Sequence, residues 1–306
     1  MARVRGGFTV EVPLEGGGEL KVEAGGGDVE VRAGGPGRAV VRGSFEISAF
    51  PPTRAERLAE LIRRDPPVEV LGREVRVGDL SKYVKILGPG FFGKVLEWVA
   101  LDYEIEVPRH IEARIRSGSG DIRVADVTGP LVVVAGSGDV ELSRIGGDVE
   151  VKAGSGDIRV QEVTGELRSS SGSGDVMVHG AGDDVTIHTG SGNVFAAEVR
   201  GDLVLRTGSG DVRLEAIGGD TEVSTGSGDI RISSPIGREV VWRLRTGSGD
   251  MELLLPPDSR FRLVAESRYG EVHCDLTPDP EAPAAIEAKT GSGNIRIGAR
   301  YRKEAG

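Results

Sequence analysis

The sequence is poor in the residues that usually carry chemistry. Its 306 residues include one cysteine, Cys274, so no disulfide can form within the chain and packing alone must hold the fold. Histidines number four and form no Cys/His grouping with zinc spacing, so no metal or cofactor is expected. Aromatic residues make up only 4% of the chain. No stretch approaches the roughly 18 uncharged apolar residues of a membrane span, and Met1 to Gly7 has no apolar run behind its positive charges. The expectation is a soluble, cytoplasmic protein. Basic side chains are outnumbered, 38 against 48, and the resulting net charge of −10 repels phosphate backbones, so nucleic acid is not an expected partner.

What the chain has in abundance is glycine, 48 residues of it, and the glycines are periodic. Gly-Ser-Gly followed by Asp or Asn ends at Asp121, Asp139, Asp157, Asp175, Asn193, Asp211 and Asp229, each 18 residues after the last. The spacing then loosens to 21 at Asp250, 21 again at Glu271 and 23 at Asn294, which reads as insertions in two loops. A weaker copy lies halfway through each unit, at Asp148, Glu166, Asp184, Asp202 and Asp220, so two kinds of corner alternate every nine residues. Between corners, pairs such as Val140 and Leu142 or Val212 and Leu214 alternate with polar residues, the pattern of a short strand with one buried face.

So short a strand cannot bury its face alone, but identical strands stacked rung on rung bury a continuous core. The expected fold is all-β: a parallel single-stranded β-helix or β-solenoid with 18-residue coils, in which residues 18 apart are neighbours at about 4.8 Å. Arg123 beside Glu141 and Glu150 beside Arg168 fit that register, whereas Arg213 beside Arg231 does not. The nonapeptide recurs at Gly18–Val22 and Gly27–Val31, so the solenoid is expected to begin there. One inserted helix is expected near residues 53–64, with Thr53 as N-cap, Leu58, Leu61 and Ile62 on one face and Pro66-Pro67 after it. Strand-like pieces follow at Val68 to Leu71 and Val75 to Val77. The expected organisation is N-terminal solenoid strands at 1–50, an inserted helix and aromatic-rich cap at 51–102, and the main solenoid at 103–306, as one continuous fold.

The run from Tyr103 through Val107-Pro108 into Ser117-Gly118-Ser119-Gly120-Asp121-Ile122, with the many Gly-Ser-Gly-Asp units after it, resembles the bacterial putative-adhesin family of β-strand-repeat proteins, over roughly residues 100 to 297. The resemblance implies a right-handed β-helix or related solenoid and brings no catalytic or binding residues with it. Members often sit outside the cytoplasm behind a signal or anchor, which this sequence does not show.

The column of corner carboxylates raises calcium binding, but Asn193 and Asn294 keep the turn-forming side-chain oxygen while lacking the charge, which favours a structural role. The serine column at 119 to 227 has no base beside it and reads as turn serines. Thr189, Thr207 and Thr225 read as a cross-strand ladder too narrow for ice binding. His179 and His188 should point to opposite faces, and His273-Cys274 shows no partner acid in register. The candidate interaction residues are apolar: Met177 and Phe195, outward on adjacent rungs, and Tyr83, Phe91, Phe92 and Trp98 in an aromatic-rich stretch running to Tyr103. That stretch either covers an edge of the solenoid or makes a contact, and membrane contact is expected only through 83–103. The expected function is a non-enzymatic structural or protein-interaction scaffold whose partner is an unidentified protein or a second copy. The alternatives are a carbohydrate-active β-helix enzyme, with its groove in the insertion or between Leu253 and Pro283, and a calcium-stabilised surface adhesin.

Overall fold

A segment such as Val176-Met177-Val178-His179 has buried valines between exposed neighbours, so each strand offers one apolar face and must find others to complete it. In the computed structural model, which describes residues 2–49, 52–78, 80, 83 and 96–299, the partners are copies of the same repeat. The described residues form 27 strands and one helix, in two compact units, Met1–Gly147 and Asp148–Gly306. Among them no helix is long and apolar enough to cross a membrane.

In the second unit one sheet stacks Ile158–Val163, Val176–Ala181, Val194–Val199, Val212–Ile217, Ile230–Ser233, Met251–Leu254, Ile295–Gly298 and Val272–Cys274, in that order. The opposing sheet stacks Val149–Ala153, Leu167–Ser171, Val185–Thr189, Leu203–Ser209, Thr221–Ser227, Val241–Ser248, Ala285–Ser292 and Arg262–Tyr269. Every pairing is parallel, and through Ile230 residues 18 apart are direct partners, as in Val176 with Val194 and Val194 with Val212. Successive coils therefore superimpose, and their inward residues, such as Leu205, Leu214, Val223 and Ile232, make a continuous core.

The last rungs depart from sequence order. Met251 pairs with Ile295, 44 residues on, and Ile295 pairs in turn with Val272. The coil of Ala285–Ser292 and Ile295–Gly298 thus slots between its two predecessors, leaving Arg262–Tyr269 and Val272–Cys274 outermost. Spacing alone treats the rung at Glu271 as the neighbour of Asp250; the deeper apolar faces of Ile286, Ala288, Ile295 and Ile297, all fully buried, take the interior position instead.

In the first unit Gly18–Ala24 pairs in parallel with Ile111–Ser117, and Val29–Ala33 with Ile122–Ala125, so the N-terminal nonapeptides do form a coil of the solenoid. On its other side that coil meets Glu74–Val77, in a hairpin with Val68–Leu71, and Leu96–Val107. The latter strand starts well before Tyr103 and runs antiparallel to Arg38–Ala49, which runs antiparallel to Ala2–Pro13. These long strands close this side with a ribbon the repeat does not foreshadow.

The helix spans Pro52–Arg64 and buries Ala55, Leu58, Ala59 and Ile62 against the ribbon. Pro52 opens it, so Thr53 sits within the first turn; proline suits this place because its missing N–H would have no helical partner. Arg63 fastens the helix, donating to the Arg5 carbonyl at 3.0 Å and lying 5.4 Å from the centre of the Phe45 ring.

In both units the same position of the repeat is strained. Asp126, Arg144, Glu162, Gly180, Glu198 and Ala216, each 18 residues apart, all have φ between 52° and 77°. The left-handed residue bends the end of the strand so that Val160 and Val163, three apart, both face inward. Only glycine adopts this backbone without steric cost, and five of the six rungs use something else.

Candidate interaction surfaces

The carboxylate column is a hydrogen-bond ladder. From Asp175 onward the backbone N–H at the corner donates to Oδ1 of the corner residue on the neighbouring coil: Asp175 to Asp157 at 3.0 Å, Asn193 to Asp175 at 2.8 Å, Asp211 to Asn193 at 3.0 Å and Asp229 to Asp211 at 2.9 Å. It continues through the reordered rungs, where Asn294 donates to Asp250 and Glu271 to Asn294. The first unit has its own ladder, in which Asp121 donates to Asp28 at 2.9 Å and Asp28 to Asp102 at 3.0 Å. The alternate corners do the same at Glu166 to Asp148, Asp202 to Asp184 and Asp220 to Asp202. Only the side-chain carbonyl-type oxygen is required, so asparagine serves as well as aspartate.

The second oxygen is often engaged as well. Arg123 donates to Asp121 at 3.1 Å and Arg159 to Asp157 at 3.0 Å, both along one strand. The rung-to-rung pair Arg123 with Glu141, expected from the register, is present but longer, at 3.8 Å. Arg168 sits opposite Glu150 in register yet pairs with Glu166 on its own strand, while Glu150 takes Lys152. The hydrogen bond from Lys152, more than the charge of Arg168, holds the Glu150 carboxyl below its usual range. Among the described residues no three His, Cys, Asp or Glu side chains are grouped as metal ligands.

The threonine ladder is in register from strand to strand and lies in the interior. Thr189, Thr207, Thr225, Thr246 and Thr290 are all buried, and each hydroxyl donates to a glycine carbonyl of the corner, at 3.1 Å for Thr246 and Thr290. Ser117 and Ser171 hold the equivalent position of the repeat in the first and second units and accept from the N–H of Gly120 and Gly174. The serines bond each glycine corner to the strand before it, and the threonines bond their strands to the corner of the adjacent coil.

The outward faces separate the aromatic candidates. Met177 and Phe195 are in-register partners; Met177 is 46% exposed and Phe195 is half-buried, with the Arg213 guanidinium 5.8 Å from its ring centre. Arg159 borders the pair on the rung before. Tyr83, in contrast, is fully buried, and its hydroxyl donates to the Asp65 carbonyl, so it offers no contact surface. Tyr103 is buried too, and burial pushes both phenols well above their ordinary range. Phe91 and Phe92 lie outside the described residues, as does the side chain of Trp98, whose backbone pairs with Ser48.

His179 and His188 are exposed on the two opposing sheets, as their spacing requires. His273 faces Arg296 in register, and its acid partner lies along the chain instead: Asp275 Oδ1 is 2.7 Å from its Nε2, two residues on. Cys274 is half-buried, with its thiol toward the Leu276 carbonyl. One surface feature escapes sequence reasoning, an open depression of about 410 Å3 bordered by Ser170, His188 and Arg206 beside Gly190 and Gly208. The 18-residue spacing of those three outward residues was its signal, hidden because Ser170 and His188 look like isolated polar residues.

A two-sheet parallel solenoid with polar ladders at its corners is a repeat-protein architecture, and its class is defined by those features. The chain belongs to the Toastrack DUF4097 family, whose pattern matches residues 102–162 and 146–300. It is similar to a putative adhesin from Bacteroides fragilis, with 15% identity over 95% of this chain and 97% of that one and a TM-score of 0.32. It is similar also to a putative lipid binding protein from Parabacteroides distasonis, with 14% identity over 94% and 96% of the two chains and a TM-score of 0.39. No curated protein matches it.

Proposed function

We propose that this protein is a non-enzymatic scaffold that presents rigid, in-register side-chain columns to a protein partner. The observation that supports this reading is the engagement of the corner carboxylates. Their oxygens are bound to backbone N–H groups and to arginines, in the geometry of a structural brace and not of an acid and base poised over a cleft. The outward columns sit on a backbone fixed on both sides by parallel ladders, which suits recognition of a partner without rearrangement.

Within those columns the contact assigned to the partner is centred on Met177 and Phe195, apolar neighbours framed by Arg159 and Arg213. The test compares the wild-type chain with Met177→Glu combined with Phe195→Glu. A partner isolated on the wild type is purified, and its affinity for both proteins is measured. A loss of affinity of about tenfold or more, with an unchanged melting curve, is the expected result. Equal affinity of the partner for both proteins refutes the assigned surface. Turnover of a polysaccharide that disappears on replacing a carboxylate overturns the scaffold itself.

A further inference from the structure

The outermost rung of the second unit has an unfinished core. Leu263 and Ala265 face inward beside Ile286 and Ala288, and Val272 and Cys274 beside Ile295 and Ile297. The four inner residues are fully buried, but Leu263, Ala265 and Cys274 are only half-buried and Val272 is 44% exposed. Val264 and Tyr269 on the same rung are 54% and 70% exposed. Among the described residues nothing pairs with the far edge of Arg262–Tyr269, an eight-residue strand without proline. Such an edge is a template for another strand.

We propose that a second copy of this chain occupies it, residues 262–266 of the two Arg262–Tyr269 strands pairing antiparallel about a two-fold axis at Val264. The charges select this occupant and this register. Arg262 has no ion-pair partner among the described residues, and Glu266 on the same outward face keeps a largely exposed carboxylate although Lys289 approaches it at 2.8 Å. With the axis at Val264, Arg262 of each copy stands opposite Glu266 of the other, Leu263 opposite Ala265, and the exposed Val264 opposite its counterpart. An axis at Ala265 sets Arg262 against Arg268, and one at Glu266 sets that carboxylate against itself. An axis at Ser267 matches Glu266 with Arg268, but Arg268 already lies 5.3 Å from the centre of the Tyr269 ring, and that register leaves Arg262 and Val264 beyond the paired segment. Two-fold pairing uses the same edge on both chains, so it closes at two copies. The inference rests on this edge alone and does not depend on the scaffold reading.

Sedimentation velocity of the full chain over a concentration series tests it. The wild type should sediment at twice its 32.2 kDa chain mass. Arg262→Glu and Glu266→Arg should each raise the dissociation constant by about tenfold or more, because each places like charges opposite one another, and the double exchange should restore it. Val264→Lys, at an exposed site that tolerates polarity in the monomer, should give a folded single chain and serves as the control should a charge variant misfold. A wild type that stays monomeric, a dimer indifferent to the single exchanges, a double exchange without recovery, or growth beyond two copies each overturns the proposal.

Discussion

Replacing Asp175 separates the ladder from a metal site, because the ladder requires an acceptor oxygen and a metal site requires a charge. In Asp175→Ala the Asn193 N–H loses its 2.8 Å acceptor, while the N–H of residue 175 keeps its bond to Asp157. The corner is exposed and water can replace the lost partner, so the cost is that of one hydrogen bond, about 1 kcal/mol. Asp175→Asn keeps the oxygen, as Asn193 does naturally when it accepts from Asp211 at 3.0 Å, and should lie within about 0.5 kcal/mol of wild type. Amide exchange is the proper readout, since long repeat arrays do not always melt as one unit. The Asn193 amide should exchange about fivefold faster in the alanine variant and at nearly the wild-type rate in the asparagine variant. The thermal midpoint should fall by about 2–4 °C for alanine alone. Equal damage from the two substitutions, together with a wild-type midpoint that rises on adding calcium and falls with chelator, refutes the ladder reading and reinstates the cation.

Three further outcomes follow from the same geometry. A Cβ at Gly192 would lie 2.2 Å from the Gly174 carbonyl oxygen, so Gly192→Ala should destabilise by about 2–3 kcal/mol, whereas Gly25→Ala, with open space around it, should be nearly neutral in denaturant titrations. In the left-handed column Ala216→Gly should stabilise by about 0.5–1 kcal/mol and Gly180→Ala should cost about as much; melting shifts of the same sign would contradict the strain argument. Arg42 and Arg32 each donate to Glu106 at 2.9 Å and hold its carboxyl below its ordinary value of 4.5. Because the folded value is the lower one, this stabilisation is fully present above pH 4.5 and is lost as the pH falls through the folded value, so the melting difference between wild type and Glu106→Gln should shrink progressively below pH 4.5.

The repeat made most of the fold legible because one constraint is written many times. Parallel stacking, register, the N-terminal coil at Gly18–Ala24 and Val29–Ala33, and the helix all follow from glycine punctuation and apolar period. Three features did not, each for a physical reason. The swapped order of the last coils depends on which of two similar rungs buries more apolar surface, a comparison of Ile286 and Ile295 with Leu263 and Val272 that no spacing records. The antiparallel ribbon joins Ala2–Pro13, Arg38–Ala49 and Leu96–Val107 across long sequence separations with no repeat among them. The left-handed column was visible only as a shift from two to three in the inward spacing, as at Val160 and Val163, since the residues at the bend include aspartate, arginine, glutamate and alanine as well as glycine.

The candidate surfaces were legible to the extent that outward residues inherit the register. Met177 and Phe195 could be paired from sequence because they lie 18 apart on a strand whose alternation was clear. The threonines shared that spacing, and the corner glycine carbonyls that accept from them confirm their inward side. Hydroxyl columns in such a solenoid therefore say little about surface function until the parity of each strand is fixed. The buried aliphatic residues two before each threonine, Ile187, Leu205 and Val223, already carried that parity.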